Sequence, residues 1–316
     1  MLPTRILLGA ALLALLAGLA WADFHAARPG LMLAPLAIVA AVMGALEVAT
    51  IFSRTPHLSG ASRRSLLRQQ RVVAVGTAIV TAAAFVPTIV GPSQASSVRA
   101  LSGPGGMALG LAVAVGLAMA AEVVAYRAPG QASVRLAASV LAIAYCGGMI
   151  GFAAQLRLLS GEPWGEDGRW GMVAVLSMIG AAKACDTGGY FVGKHFGRRP
   201  MASLLSPKKT REGALGGLFF AVIVSGVMLG PLAGMLGCQP SYGSPVWTVG
   251  VLVYGTAIAA SAILGDLAIS LLKRDAHLKD SSSWMPGFGG VLDVIDSVLL
   301  AAPVAYVLWL LRVVGP

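Results

Sequence analysis

The sequence predicts an all-α, polytopic integral membrane protein with about nine transmembrane helices and a cytoplasmic N-terminus. Three observations carry that reading. The 316 residues are 57% apolar and only 11% charged, against about 25% charged in an ordinary soluble domain, and mean hydropathy is +0.81. Apolar residues gather in nine blocks, near 6–22, 31–53, 72–90, 106–126, 134–156, 170–190, 213–236, 246–272 and 291–312. Each is close to the roughly 20 residues that cross about 30 Å of hydrocarbon. Finally, with the N-terminus inside, eighteen of the 23 Lys and Arg residues fall on one side and five on the other, as the positive-inside rule requires.

The first block follows Arg5 and ends at Ala20-Trp21-Ala22, which also resembles a cleavable signal. An anchor is the expected state, and cleavage would leave the remaining topology unchanged because residue 23 starts outside in either case. The connector at 54–71 carries Arg54, Arg63, Arg64, Arg68 and Arg71 with no acid, and reads as a loop against anionic headgroups. The outer connector at 157–169, with Glu162, Glu166 and Asp167, reads as solvated. The 40 glycines, many inside the apolar blocks, suit close helix approach in lipid, and no strand periodicity competes. The +10 net charge is thereby assigned to the membrane surface, not to nucleic acid.

Cys146, Cys185 and Cys238 lie singly, so neither a disulfide framework nor a paired-cysteine metal site is available. His25, His57, His195 and His277 show no ligand spacing. The chain reads as one membrane domain in two stretches, helices 1–5 over 1–156 and helices 6–9 with their cytoplasmic connectors over 157–316. Its polar matter is concentrated in two inner connectors, about 183–213 and 273–296.

The first of these mixes cations, hydroxyls and glycines: Asp186-Thr187-Gly188-Gly189-Tyr190-Phe191-Val192-Gly193-Lys194, then Ser206-Pro207-Lys208-Lys209-Thr210-Arg211-Glu212-Gly213. Ser206 and Thr210 offer hydroxyl donors, Lys208 and Lys209 compact charge, and a helix N-terminus at Gly213 adds free N–H groups and a favourable dipole, a parts list for phosphate. The spacing of a Walker loop is absent. The second constellation contains Ser270, Lys273, Arg274, Lys279, Asp280, Gly289, Gly290, Asp293 and Asp296, with Asp266 late in the eighth block. Unpaired acids at membrane depth cost a few kcal/mol. Asp293 and Asp296, three apart, are expected on one side of a helix, and carboxylates without His or Cys suit a hard cation such as Mg²⁺. A blander reading has Asp293 capping its helix and Asp266 pairing with Lys273. Glu47 and Glu122 remain unassigned.

Together the two segments resemble the phosphatidate cytidylyltransferase, or CDP-diglyceride synthase, family. That family's C-terminal signature, Ser-x-x-Lys-Arg, Lys-Asp, a Pro or Gly, His-Gly-Gly and Asp-Arg-x-Asp, is met by Ser270, Lys273, Arg274, Lys279, Asp280, Pro286, Gly289, Gly290, Asp293 and Asp296. Upstream, Asp186, Thr187, Tyr190, Phe191 and Gly193, then Ser206 to Thr210, Glu212 and Gly213, also match. The chain departs at Phe288 for His, Val294 for Arg and Gly189 for Ala.

The resemblance implies a bacterial-type inner-membrane enzyme that converts CTP and phosphatidate to CDP-diacylglycerol and pyrophosphate at the cytoplasmic face. It implies Mg²⁺, with K⁺ as a second ion, and a homodimer. On this reading Asp266, Asp293 and Asp296 hold metal, with Lys209 also catalytic. Ser206, Lys208, Lys209 and Thr210 hold phosphate, Lys273, Arg274 and Lys279 neutralise triphosphate or lipid head, and Asp186, Glu212 and Asp280 line the substrate. The competing expectations are a CTP-dependent polyprenol or phytol kinase and a polytopic transporter.

Overall fold

The computed structural model describes residues 2–58, 60, 62–90, 103–127, 129–165, 167–240, 243–285 and 289–316, with side chains from Gly9 onward. Among these residues ten helices follow in order: α1 (Leu2–Phe24), α2 (Leu33–Ser53), α3 (Arg63–Ala84), the short α4 (Val86–Val90), α5 (Pro104–Val124) and α6 (Ala132–Arg157), then α7 (Arg169–Phe196), α8 (Arg211–Met235), α9 (Pro245–Asp275) and α10 (Val291–Leu310). One antiparallel hairpin, β1 (Pro200–Ala202) and β2 (Ser206–Thr210), separates α7 from α8. π-helical turns interrupt α6 at Ile143–Gly148 and α8 at Met228–Leu232. The second surrounds Pro231, whose ring has no N–H to give the ladder.

The all-α membrane class stands. Among the described residues six helices, α2, α5, α6, α8, α9 and α10, are long and apolar enough to cross a bilayer. The other three apolar blocks sit in α1, in α3 with α4, and in α7. Helix α3 opens on Arg63, Arg64, Arg68 and Arg71, and α7 carries Lys183, Asp186 and Lys194. Both polar connectors are shorter than the sequence suggested. Residues 183–196 continue α7, the segment after them is the hairpin, and Lys273 and Arg274 belong to the last turn of α9. Charges that the sequence assigns to loops therefore sit on helix, where their directions are fixed.

The chain divides into two compact units: Met1–Gln155 with Leu272–Ile295, and Leu156–Leu271 with Asp296–Pro316. In the first, α3 packs on α2 and α5, and Val80, Ala114 and Ile143 form a fully buried cluster. Asp23, in the last turn of α1, is buried and accepts from Gly30 N (3.0 Å), Met32 N (2.9 Å) and Leu33 N (3.3 Å). A carboxylate there meets the free N–H groups and positive dipole end of α2. The three cysteines are free and buried.

In the second unit α7 and α8 pack backbone to backbone. A Cβ on Gly213 would lie 2.7 Å from the Gly189 carbonyl oxygen, and one on Gly217 2.7 Å from that of Cys185. Small residues permit this approach where hydrophobic attraction between helices is weak. Tyr254 and Ser177 share a buried hydrogen bond of 3.0 Å, and Trp170 meets Trp309 at 6.0 Å between ring centroids. Gly217→Val should force the two helices apart at a cost of about 1–3 kcal/mol, read as a lower unfolding temperature in detergent. Leu215→Ala, on an exposed position of the same helix, should leave it unchanged.

Candidate active site

The second unit assembles the upstream segment around the end of α7. On β2, Lys208 is exposed and the Lys209 ammonium pairs with the Asp266 carboxylate on α9, while both lysines border the same cavity. Thr210 is the N-cap of α8 and accepts from Gly213 N at 3.1 Å. Glu212 turns back to accept from Arg198 N (3.0 Å) and Arg199 N (3.2 Å), while Arg211 N donates to Arg199 O (2.9 Å). Thr210 and Glu212 thus close the base of the hairpin, which fixes where Lys208 and Lys209 stand. Ser206 starts the strand that carries both lysines.

On α7, Lys183 and Asp186 are three residues apart and pair at 3.2 Å. Ser297 of α10 joins them, accepting from Lys183 Nζ and donating to Asp186 Oδ2, both at 2.8 Å. Asp266 also accepts from Ser270 Oγ at 3.4 Å. Asp296 is buried; among the described residues its carboxylate accepts one hydrogen bond, from Ser297 N at 2.6 Å. It lies within electrostatic reach of Asp266, Asp186 and Lys183. A cavity of about 540 Å³, lined by Asp186, Tyr190, Lys194, Lys208, Lys209 and Asp266 among others, opens beside them. That volume falls within the roughly 300–1,000 Å³ of small-molecule sites.

The first unit holds the rest of the C-terminal segment. Lys273 donates to Asp293 Oδ1 at 2.6 Å. Asp293 Oδ2 accepts from Ser281 N (2.8 Å), Ser281 Oγ (2.8 Å) and Gly290 N (3.1 Å). In its position in the first turn of α10, reaching back to the amide that precedes the helix, Asp293 closes half of a capping box. Glu47, on α2, accepts from Ser281 Oγ (2.8 Å), Trp284 Nε1 (3.0 Å), Val291 N (3.1 Å) and Leu292 N (2.9 Å). The single Ser281 hydroxyl proton therefore serves two carboxylates. A side chain on Gly290 would strike both Glu47 oxygens and Ser281 Oγ, and Gly289 has φ 86° with Asp293 where its Cβ would be. The Gly-Gly pair is demanded by this close approach and left-handed turn.

Lys279 and Asp280 are exposed and line a second cavity of about 540 Å³ with Glu47, Arg54 and Ser282. Arg274 is exposed and donates to Leu278 O at 2.9 Å. Lys273 is held by Asp293, leaving Asp266 to Lys209, in place of the Asp266–Lys273 pair weighed from the sequence. Asp293 and Asp296 go to different clusters, and among the described residues no three His, Cys, Asp or Glu side chains are gathered as ligands of one ion. Pro286 and Phe288 lie outside the described residues; Val294 is half-buried on α10.

Sequence reasoning missed Glu47, Lys183, Ser281 and Ser297. The signal for Glu47 was its position: an acid inside an apolar block has to find internal partners.

The fold and these clusters define a multi-pass, all-α membrane protein with lysines and carboxylates held together at helix ends. A sequence model described as the Cytidylyltransferase family matches residues 3–311, and the chain belongs to that family. Among relatives, a phosphatidate cytidylyltransferase of Haemophilus influenzae is 35% identical over 155 residues, 49% of this chain and 52% of the relative. One from Synechocystis is 35% identical over 147 residues, 46% of each chain. The chloroplastic phosphatidate cytidylyltransferase 5 of Arabidopsis thaliana is 34% identical over 187 residues, 54% of this chain and 44% of the relative. The chain spans about half the length of the curated relatives it matches.

Glu47→Ala strands up to four donors and should destabilise the protein by about 1–3 kcal/mol for each buried one left unpaired. Hydrogen exchange should show the loss of protection concentrated at Val291 and Leu292. Glu47→Gln, which keeps one carbonyl acceptor, should lose less.

Proposed function

We propose that the protein is a CTP:phosphatidate cytidylyltransferase. The observation that carries this reading is the second unit's cavity, where Lys208, Lys209 and Lys194 face Asp186 and Asp266; family membership and the names of the relatives support it. A phosphatidate oxygen attacks the α-phosphorus of CTP, a P–O bond to it forms, and the bond to the β-phosphate oxygen breaks. CDP-diacylglycerol and pyrophosphate result. A phosphomonoester's second pKa is near 6, so the attacking oxygen is largely ionised at neutral pH and needs no dedicated base.

The obstacle is repulsion between two anions, which positioned cations relieve. Lys208 and Lys209, carried by a hairpin that Thr210 and Glu212 fix, take phosphate together with the Ser206 hydroxyl. Binding phosphate draws Lys209 away from Asp266 and frees that carboxylate. Lys183 and Ser297 hold Asp186 in place. Mg²⁺ typically uses one or two carboxylates plus substrate phosphates, and Asp266 with the under-bonded Asp296 fits that donor set; when bound, the ion neutralises developing phosphate charge. We assign Asp293, whose carboxylate accepts four hydrogen bonds, to holding Lys273 and the Gly289–Gly290 turn. Arg274, Lys279 and Asp280 are the groups available to a charged head on the first unit, and K⁺ remains a candidate second ion.

We also infer nine spans with a cytoplasmic N-terminus and the site on the cytoplasmic face of the inner membrane, on the strength of the eighteen-to-five partition of cations. A homodimer is proposed on the resemblance alone.

Purified protein given phosphatidate, Mg²⁺ and CTP labelled in cytidine or at the γ-phosphate tests the reaction. Cytidine label in the lipid is expected; γ-label there would identify a kinase, and neither label would defeat the assignment. Asp296→Asn should lower kcat by about 10²-fold or more with the protein still folded and inserted. Near wild-type turnover would remove Asp296 from the metal role.

A further inference from the structure

The first unit contains a second basic pocket that the proposed reaction does not use. A cavity of about 640 Å³ lies where α3 begins, α5 ends and α6 begins, and Arg64, Arg68, Arg127, Arg135, Ser62 and Ser65 line it. Among the described residues one acid answers these four cations: Glu122 takes Arg135 in a two-point pair (2.7 and 3.2 Å) and Arg68 at 3.6 Å. Arg68 Nε is buried without a partner. Among the described residues Arg64 and Arg127 have no hydrogen-bond or ion-pair partner, and both are exposed. The pocket therefore carries an excess of positive charge beside two hydroxyls, in the forked geometry that suits phosphate oxygens.

A second cavity, of about 460 Å³, shares Arg68, Val124 and Ala125 with the first and runs along α3 and α5 past Val72, Val75 and Leu117. Its lining is mostly apolar. Val75 is 52%, Leu117 44% and Val124 88% exposed, and α5 is one of the six helices able to span the bilayer. A cationic, hydroxyl-bearing pocket at the end of a spanning helix, continued by an apolar groove down that helix, has the polarity profile of a glycerophospholipid.

We propose that this is a binding site for an anionic glycerophospholipid, the phosphate in the arginine pocket and an acyl chain in the α3–α5 groove. Free phosphate shares the headgroup chemistry but gains nothing from the groove. The site predicts retention of an anionic lipid, chosen over a zwitterionic one, independently of turnover.

The full-length protein, reconstituted in phosphatidylcholine nanodiscs with or without phosphatidylglycerol, is released and its retained lipids are counted by native mass spectrometry. Wild type should retain phosphatidylglycerol in preference. Arg64→Gln/Arg127→Gln removes two partnerless cations and should weaken retention roughly thirtyfold, at about tenfold per 1.4 kcal/mol and about 1 kcal/mol per cation. Arg64→Lys/Arg127→Lys should recover most of it, and Val75→Ser/Leu117→Ser should weaken it while leaving binding of inorganic phosphate unchanged. Equal retention of both lipids by wild type overturns the proposal, as does undiminished preference in the Gln pair. Inorganic phosphate binding with no effect of the groove variant on lipid retention overturns it in favour of a free-anion site.

Discussion

A carboxylate buried in an apolar chain has to be answered by protein donors, and Glu47 shows how far that demand reaches. Its two oxygens take four hydrogen bonds, two of them from the first amides of α10, so one side chain on α2 fixes the entry of another helix, the Ser281 hydroxyl and the Trp284 indole. The Gly289–Gly290 turn exists in the space that arrangement leaves. Asp293 and Lys273 then complete it, and the residues that frame Lys279 and Asp280 inherit their positions.

The same economy governs the second unit, where the constraint is contact between backbones. Glycines on α7 and α8 remove the side chains that would hold the helices apart, and the hairpin between them is short enough to be positioned by its stem. Thr210 and Glu212 stitch that stem with backbone amides as partners, leaving Lys208 and Lys209 free to face charge. Neither motif residue has to touch substrate to matter.

Much of this was legible. Helical class and the apolar blocks follow from composition, because no other secondary structure satisfies its own backbone at such hydropathy without closing into a barrel. The two motif segments were visible because their residue types sit close in sequence. Element limits were less so: a run with Lys183, Asp186 and Lys194 looks like a connector until its helical neighbours bury the opposite face. Partnerships were the least legible. Glu122 and Arg135 are thirteen residues apart across a turn, and nothing local in the sequence announces that one will hold the other. The choice of Lys209 for Asp266 and of Lys273 for Asp293 depends on which face of a strand or helix each occupies, which spacing alone does not decide.

The distance along the chain between Glu47 and its donors also sets an order of events during synthesis. The groups that satisfy it follow 234 to 245 residues later, so α2 is made and threaded into the translocation machinery long before they exist. Through that interval the carboxylate lacks these partners and has to stay at the aqueous boundary near the end of its helix. It can be buried with all of its partners only once α10 arrives, so this knot closes late, after the intervening helices have been made.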